Sequence, residues 1–244
     1  MKTRCCLLSL ISVTALVIGS GCASQKSWVY SPNTYDRTLS SQTDVGEKTA
    51  AVLPFSDSRE DVNKNRVLFY LVPLAPFGWA DFEVPEGAAM HINSGLWVNY
   101  KPTEDYAKAL AEELNSSGLF RQAYFDFRGG NSDYTIKGEI VSTEYKGKMI
   151  TYGLSAFGPL LWLFGLPSSA ISNDLTVTLT CIALTSNEVV ISKTYNAPHY
   201  SKIGWIYALP SDFNYSSMLK DIYRDFVHDL ANQLIHTSHL RSSR

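Results

Sequence analysis

The sequence predicts an α+β domain, a mostly antiparallel sheet of about five strands with two helices on one face. Three observations carry this. Residues 103–117 and 216–236 repeat apolar side chains at helical spacing. Shorter segments between them alternate apolar and polar residues with the period of two that a half-buried strand requires. The order along the chain is strand, helix, a run of four strands, then helix, and consecutive strands favour antiparallel pairing with the helices on one face.

Residues 48–55, Lys-Thr-Ala-Ala-Val-Leu-Pro-Phe, read as a buried strand ending near Pro54. Asp57 to Arg66 is a charged loop, residues 67–80 carry no charge, and a loop with Asp81, Glu83, Pro85 and Gly87 follows. The first helix is 103–117. Thr103 suits its N-cap, and Glu104 and Asp105 fall in the first turn, where the helix dipole favours anions. Tyr106, Ala107, Leu110, Ala111 and Leu114 form its apolar stripe, Glu104–Lys108 is a supportive i,i+4 pair, and Gly118 suits a left-handed end.

Gln122 to Phe127 reads as a strand followed by Arg-Gly-Gly-Asn-Ser-Asp, with Gly129-Gly130 as a hairpin turn. Asp133 to Lys146 sets Tyr134, Ile136 and Ile140 on one face against Lys137 and Glu139 on the other. Leu175, Val177, Leu179 and Cys181 alternate with Thr176, Thr178 and Thr180, and branched side chains fit a pleated surface. Ser186-Asn187 turns into Glu188 to Tyr195. In the last helix Leu219, Ile222, Tyr223, Phe226, Val227, Leu230, Ala231 and Leu234 keep helical spacing without a miss, so one face should pack on the sheet.

The first 22 residues carry an address. Lys2 and Arg4 precede an uncharged, mostly apolar stretch of 14 residues, Cys5 to Ile18, which runs into Gly19-Ser20-Gly21-Cys22. This resembles the lipobox of bacterial lipoproteins, although Gly19 stands where Leu is usual and Ile18 lies one residue earlier. The resemblance implies removal of residues 1–21 and acylation of Cys22 at its sulfur and new amino terminus. Ala23, which is not Asp, implies by the same resemblance sorting to the outer membrane, facing the periplasm. An ordinary secretory signal or an uncleaved anchor are the other readings, but the apolar stretch is short of the ~20 residues that span a bilayer.

Residues 22–47 read as a polar tether, 48–236 as one domain and 237–244 as a tail. Of 244 residues 45% are hydrophobic and 18% charged, a balance that supports a folded core. The formal charge of −2 becomes −4 when the two bases Lys2 and Arg4 leave. No Lys/Arg-rich run occurs, which argues against nucleic acid as a partner. Cys5 and Cys6 leave with the signal and Cys22 is taken by lipid, so Cys181 remains as a free thiol, read as a small buried hydrophobe.

Residues 149–173 contain 25 consecutive uncharged residues. Pro159 and Pro167 with Gly153, Gly158 and Gly165 break any long helix there. Three readings stand: a loop or short helix packed into the core against 67–80, an exposed patch for a partner protein or a second copy, or a segment dipping into the bilayer. The residues placed at such a contact are Phe157, Leu160, Leu161, Trp162, Phe164 and Trp79.

Elsewhere the chemistry is sparse. Asp225 and His228 have ligand-like spacing but fall on the polar side of the last helix, so they read as a solvated face. Asp57, Arg59, Glu60 and Asp61 lack the spacing and glycine of a calcium loop and read as a solvated loop. No nucleophile elbow, phosphate loop or metalloprotease motif occurs. Neither catalytic residue, cofactor nor metal is expected. The Ala-Val-Leu-Pro-Phe opening at 51–55 and the Ala-Glu-Glu-Leu-Asn-Ser-Ser-Gly-Leu-Phe helix end at 111–120 resemble envelope lipoproteins of the curli secretion channel type. The chain is also similar to the amino-terminal domain of the Tol translocation protein. The likeness covers 48–146 and, more loosely, the rest. It implies a non-enzymatic, lipid-anchored scaffold or auxiliary subunit in envelope assembly or export, with an envelope protein or a second copy as partner. The competing expectation is a small-ligand-binding or hydrolytic protein with its site near loop 57–66.

Overall fold

The computed structural model describes residues 28–35, 46–86, 99–130, 132–208 and 214–242. The signal segment, Cys22 and residues 36–45 of the expected tether lie outside them. The strands are β1 (Thr49–Val52), β2 (Ser56–Asp57), β3 (Asn63–Arg66), β4 (Phe77–Phe82), β5 (Gln122–Phe125), β6 (Tyr134–Ser142), β7 (Tyr145–Ile150), β8 (Ser169–Asn173), β9 (Thr176–Ala183), β10 (Glu188–Asn196) and β11 (Tyr200–Gly204). The helices are α1 (Pro102–Ser117), α2 (Gly158–Leu163) and α3 (Tyr215–Ser242). The class is α+β, but the described residues form two sheets and three helices rather than one sheet and two helices.

The first sheet runs β10-β9-β6-β1-β5, with β2 continuing along β6 beyond the end of β1. Pairing is mostly antiparallel among the described strands, as the sequence predicts, but the centre of this sheet is parallel: β1 pairs in parallel with both β5 and β6, Ala50 lying beside Ala123 on one side and Tyr134 on the other. Alternation reports which face a side chain takes and is silent on strand direction. Because β5 and β6 flank β1 and run the same way, Gly129-Gly130 is not a hairpin turn; it belongs to a connection that returns across β1. Both glycines have positive φ, 79° and 30°. Burial on both faces, usual for parallel strands, explains the unbroken Ala50-Ala51-Val52 run. The β9–β10 hairpin forms as the sequence predicts, its turn carried by Asn187 at φ 54°.

The stretch 133–146 is not one strand. It leaves the first sheet at Ser142 and enters the second at Tyr145, where β7 begins. Thr143 at this junction is buried, and its carbonyl accepts a 2.7 Å hydrogen bond from the Tyr215 hydroxyl at the start of α3. The second sheet, β11-β8-β7-β4-β3, is antiparallel throughout.

Helices α1 and α3 bury one shared face of the first sheet. Ala50, Val52, Ile136, Ile140, Val177, Leu179 and Cys181 meet Leu110 and Leu114 of α1 and the whole periodic stripe of α3 in one core. The two helix-spacing arguments therefore hold. Two details differ. The N-cap of α1 is Lys101, with Pro102 in the first turn and the Asp105 carboxylate accepting the Lys101 N–H at 2.8 Å, so Thr103 lies inside the helix. Helix α3 continues to Ser242, beyond His236. Glu104 pairs with Lys108 at 3.0 Å, and Gly118 takes the left-handed end at φ 68°. Cys181 is buried on β9, and burial pushes its thiol up to about 12.

Within the span read as a tether, residues 28–35 lie against the helices. Trp28 stacks on Tyr30 at 6.2 Å and tilts onto Tyr106 at 6.0 Å. The anchor beneath them is Glu113 of α1, fully buried on the apolar side of its helix.

Candidate functional site

The feature that sets this molecule apart is the end of the second sheet. Strands β3, β7 and β11 run towards it, and β4 and β8 run away from it. The connections 67–76 and 151–168 and the segment 205–208 after β11 therefore project from the same edge. A 3-10 turn at Val67–Leu71, a second at Ser155–Phe157 and the short helix α2 build it.

Its backbone is bonded inward. The Leu74 N–H reaches the Gly153 carbonyl at 3.0 Å, and the Thr151 and Tyr152 N–H groups share the Pro76 carbonyl at 2.9 and 3.0 Å. The Ser155 hydroxyl donates to the Leu71 carbonyl. Trp162 donates its indole N–H to the Ile150 carbonyl at 2.8 Å, and Tyr152 its hydroxyl to the Pro167 carbonyl at 2.7 Å. Close approach demands glycine at two points. A Cβ on Gly78 would lie 1.8 Å from the Val67 carbonyl oxygen, and one on Gly158 would lie 2.5 Å from Thr151.

Its side chains face out. Leu74 is 88% exposed, Phe164 81%, and Leu68 and Phe157 72% each. Of the six contact residues read from sequence, Phe157, Leu160 and Phe164 are exposed, and Leu161, Trp162 and Trp79 are half-buried. Trp79 lies edge-on to Phe69 at 5.4 Å within the first apolar segment, and the Leu74–Gly153 and Ser155–Leu71 hydrogen bonds join that segment to the second. The segments do touch, but they cap each other rather than enter the core. A third participant, Ile203 to Tyr207, was not among the sequence-derived residues. Its signal is present, since residues 203–211 are another uncharged run. Among the described residues no helix is long and apolar enough to cross a membrane.

The charged loop 57–66 is exposed, as its composition suggests, at every residue but Arg59. The Arg59 side chain is 2% exposed. Its guanidinium donates to both Asp57 oxygens, at 2.8 and 2.6 Å, to both Glu86 oxygens, at 3.0 and 2.5 Å, and to the Thr143 hydroxyl at 2.7 Å. Two carboxylate forks around one planar cation explain how it tolerates burial. Burial opposes the Arg59 charge, and the pairs with Asp57 and Glu86 overcome it and hold the cation above its ordinary range. The Arg59 guanidinium in turn holds the Asp57 carboxyl below its usual range. The node ties the loop after β2 to the chain after β4 and to the β6–β7 junction. Asp57 and Arg59 are thus spent on each other, which removes them as free groups for a ligand. Beside them lies an open groove of about 490 Å³, with Glu60, Lys64, Asp81, Glu83, Ser142 and Glu144 on its walls. Among the described residues no three His, Cys, Asp or Glu side chains are placed to hold a metal ion. His228 is exposed on α3, its ring 6.5 Å from that of Tyr35.

No family model matches the chain. No curated protein matches it either. Among solved structures it is similar to a Xanthomonas campestris protein of the DUF330 family, at 10% identity and a TM-score of 0.49, covering 88% of this chain and 99% of that one. It is also similar to a PelC dodecamer subunit from Paraburkholderia phytofirmans, at 14% identity and a TM-score of 0.35, covering 86% and 94% of the two chains. A third similarity is to a putative neuraminyllactose-binding hemagglutinin homolog from Helicobacter pylori, at 9% identity and a TM-score of 0.38, covering 91% and 100%.

Proposed function

We propose that this chain is a lipid-anchored, non-enzymatic lipoprotein of the bacterial outer membrane, facing the periplasm, that acts as a scaffold or auxiliary subunit in envelope assembly or export. The observation that carries the reading is the leader ending in Gly19-Ser20-Gly21-Cys22. Cys22 takes the lipid, and Ala23 directs the outer-membrane address. Two features support a non-catalytic role. The buried polar groups Arg59 and Glu113 are consumed in internal bonds, and the exposed end of the second sheet is apolar. The partner is an envelope protein or a second copy of the chain.

The test is metabolic labelling with an alkyne palmitate analogue, followed by membrane fractionation of cells making the full chain or its Cys22→Ala variant. The label should appear on the wild-type protein in the outer-membrane fraction and vanish from the variant, which should accumulate as precursor. A wild-type chain without label, or released in soluble form, would remove the anchored reading.

A further inference from the structure

We propose that the apolar end of the second sheet is a lipid-contacting surface, seated in the headgroup layer of an anionic membrane and ringed by its own basic collar. The inference rests on the anchored reading only for what brings the domain to a bilayer; the contact itself belongs to the folded domain.

Each of the three uncharged runs at this end is entered through a cation. Arg66 precedes 67–80, Lys148 precedes 149–173 and Lys202 precedes 203–211. The strand register turns that sequence coincidence into geometry. Arg66 pairs with Trp79, and Trp79 with Lys148, across one row of the sheet. Lys202 pairs with Ile171, and Ile171 with Gly147, in the next row back. Successive rows are about 3.3 Å apart, so the three cations stand at nearly one depth behind the apolar end. Side chains alternate between faces along a strand, so Arg66 and Lys148 emerge on one face and Lys202 on the other. All three are exposed. None makes an ion pair among the described residues, and Lys148 rests over the Phe77 ring at 5.0 Å. The nearest carboxylate in these strands, Asp81, is two rows behind Trp79, in register with Lys64 and Lys146.

Charge complementarity selects the occupant. A seam between two copies would place basic collar against basic collar, and like charges repel across an interface. Anionic headgroups meet the same collar favourably, while Trp, Phe and Leu side chains enter the layer beneath them. The inward bonding of the Leu74, Thr151 and Tyr152 amides fits this, because a non-aqueous layer offers no partners for free backbone groups. Long cationic side chains can reach back to the phosphates while their stems cover the apolar end.

The test uses the full chain carrying Cys22→Ala, so that no acyl chain holds it, mixed with vesicles of phosphatidylethanolamine and phosphatidylglycerol whose acyl chains are brominated. Bromine quenches tryptophan only at contact, and Trp162 and Trp205 lie at this end. Emission of the parent should be quenched. A Phe157→Asp/Phe164→Asp variant, altered at two exposed positions and carrying the same leader, should lose most of that quenching while its thermal melt is kept. An Arg66→Gln/Lys148→Gln/Lys202→Gln variant, carrying the same leader, should likewise lose most of that quenching, and should be quenched as the parent is when brominated phosphatidylcholine replaces both lipids. Absent quenching, or equal quenching in the Asp variant, overturns the proposal. So does a parent dimer that the Asp variant dissociates without any lipid quenching, since a second copy then covers the surface. Loss of palmitate label alone would sink the anchored reading and leave this one standing.

Discussion

The hydroxyl of Tyr30 donates to the Glu113 carboxylate at 2.7 Å, joining residues 83 positions apart in sequence. The same carboxylate accepts the Asn33 amide N–H at 3.0 Å, the Asn33 side-chain amide at 2.6 Å and the Tyr35 hydroxyl. One buried anion thus organises a whole strap of chain across α1 and α3. Burial, and then the neighbouring carboxylate, hold both phenols well above their ordinary range, so they stay protonated donors at any physiological pH.

Replacement of Glu113 by alanine orphans these donors at once. Leaving a buried donor unmet costs about 1–3 kcal/mol, so Glu113→Ala should lower the melting temperature. The amide of Asn33 should lose its protection in hydrogen exchange, while amides in the middle of α3 keep theirs. Equal loss in both places would show that Glu113 supports the core rather than the strap.

The Arg59 node should make stability depend on acid. Asp57 has its folded value lowered, chiefly by the hydrogen bond from Arg59. A lowered carboxylate contributes stability that is fully present above its unfolded value, near 3.9, and is lost as pH falls through the folded value. Thermal melts should therefore be flat from neutrality to about pH 5 and fall below about pH 4. Asp57→Asn should melt lower at pH 7 and show a shallower acid limb, because the group that titrates has gone. A variant with the wild-type acid limb would assign that limb to another carboxylate; Asp133, lowered first by its bond from the Thr49 N–H, is the next in line.

How far the sequence announced these features depends on whether the signal was local. The stripes of α1 and α3, the threonine alternation of β9 and the Asn187 turn are local patterns, and they survive in the fold. The parallel pairing of β1 and the handover from β6 to β7 at Thr143 are decided by contacts distant in sequence, which no period of two or 3.6 encodes. Arg59 reads as solvated because Glu86 and Thr143, its distant partners, lie 27 and 84 residues away. Glu113 offered a hint that composition hides: it stands three residues after Leu110 and four before Ser117, a carboxylate inside an apolar stripe. The apolar end was legible as uncharged runs, but whether such a run is core or surface turns on how few residues its fold can place around it.

Gly78 lets the 3-10 turn at Val67–Leu71 close onto β4. The 3-10 turn at Val67–Leu71 lies so close above β4 that a methyl group there would meet the Val67 carbonyl and the Tyr70 amide, both backbone atoms with little freedom to yield. Gly78→Ala should destabilise by about 1–3 kcal/mol, as overpacking does. Limited proteolysis should then cut first within 67–76. A variant as resistant as wild type would mean that the turn lifts away at no cost.

Two large apolar residues in this molecule should respond in opposite ways to truncation. Leu230 is fully buried where α3 meets the first sheet, whereas Phe164 is 81% exposed beyond the second. Removing a buried leucine side chain costs about 2–5 kcal/mol, the spread reflecting how well the cavity closes, so Leu230→Ala should shift the denaturant midpoint strongly. Phe164→Ala removes a larger side chain but leaves no cavity, and exposed substitutions fall within about 0.5 kcal/mol. Its midpoint should match wild type. A large loss in Phe164→Ala would show that the apolar end is covered in the free protein, and it would tie the stability of the whole chain to that cover.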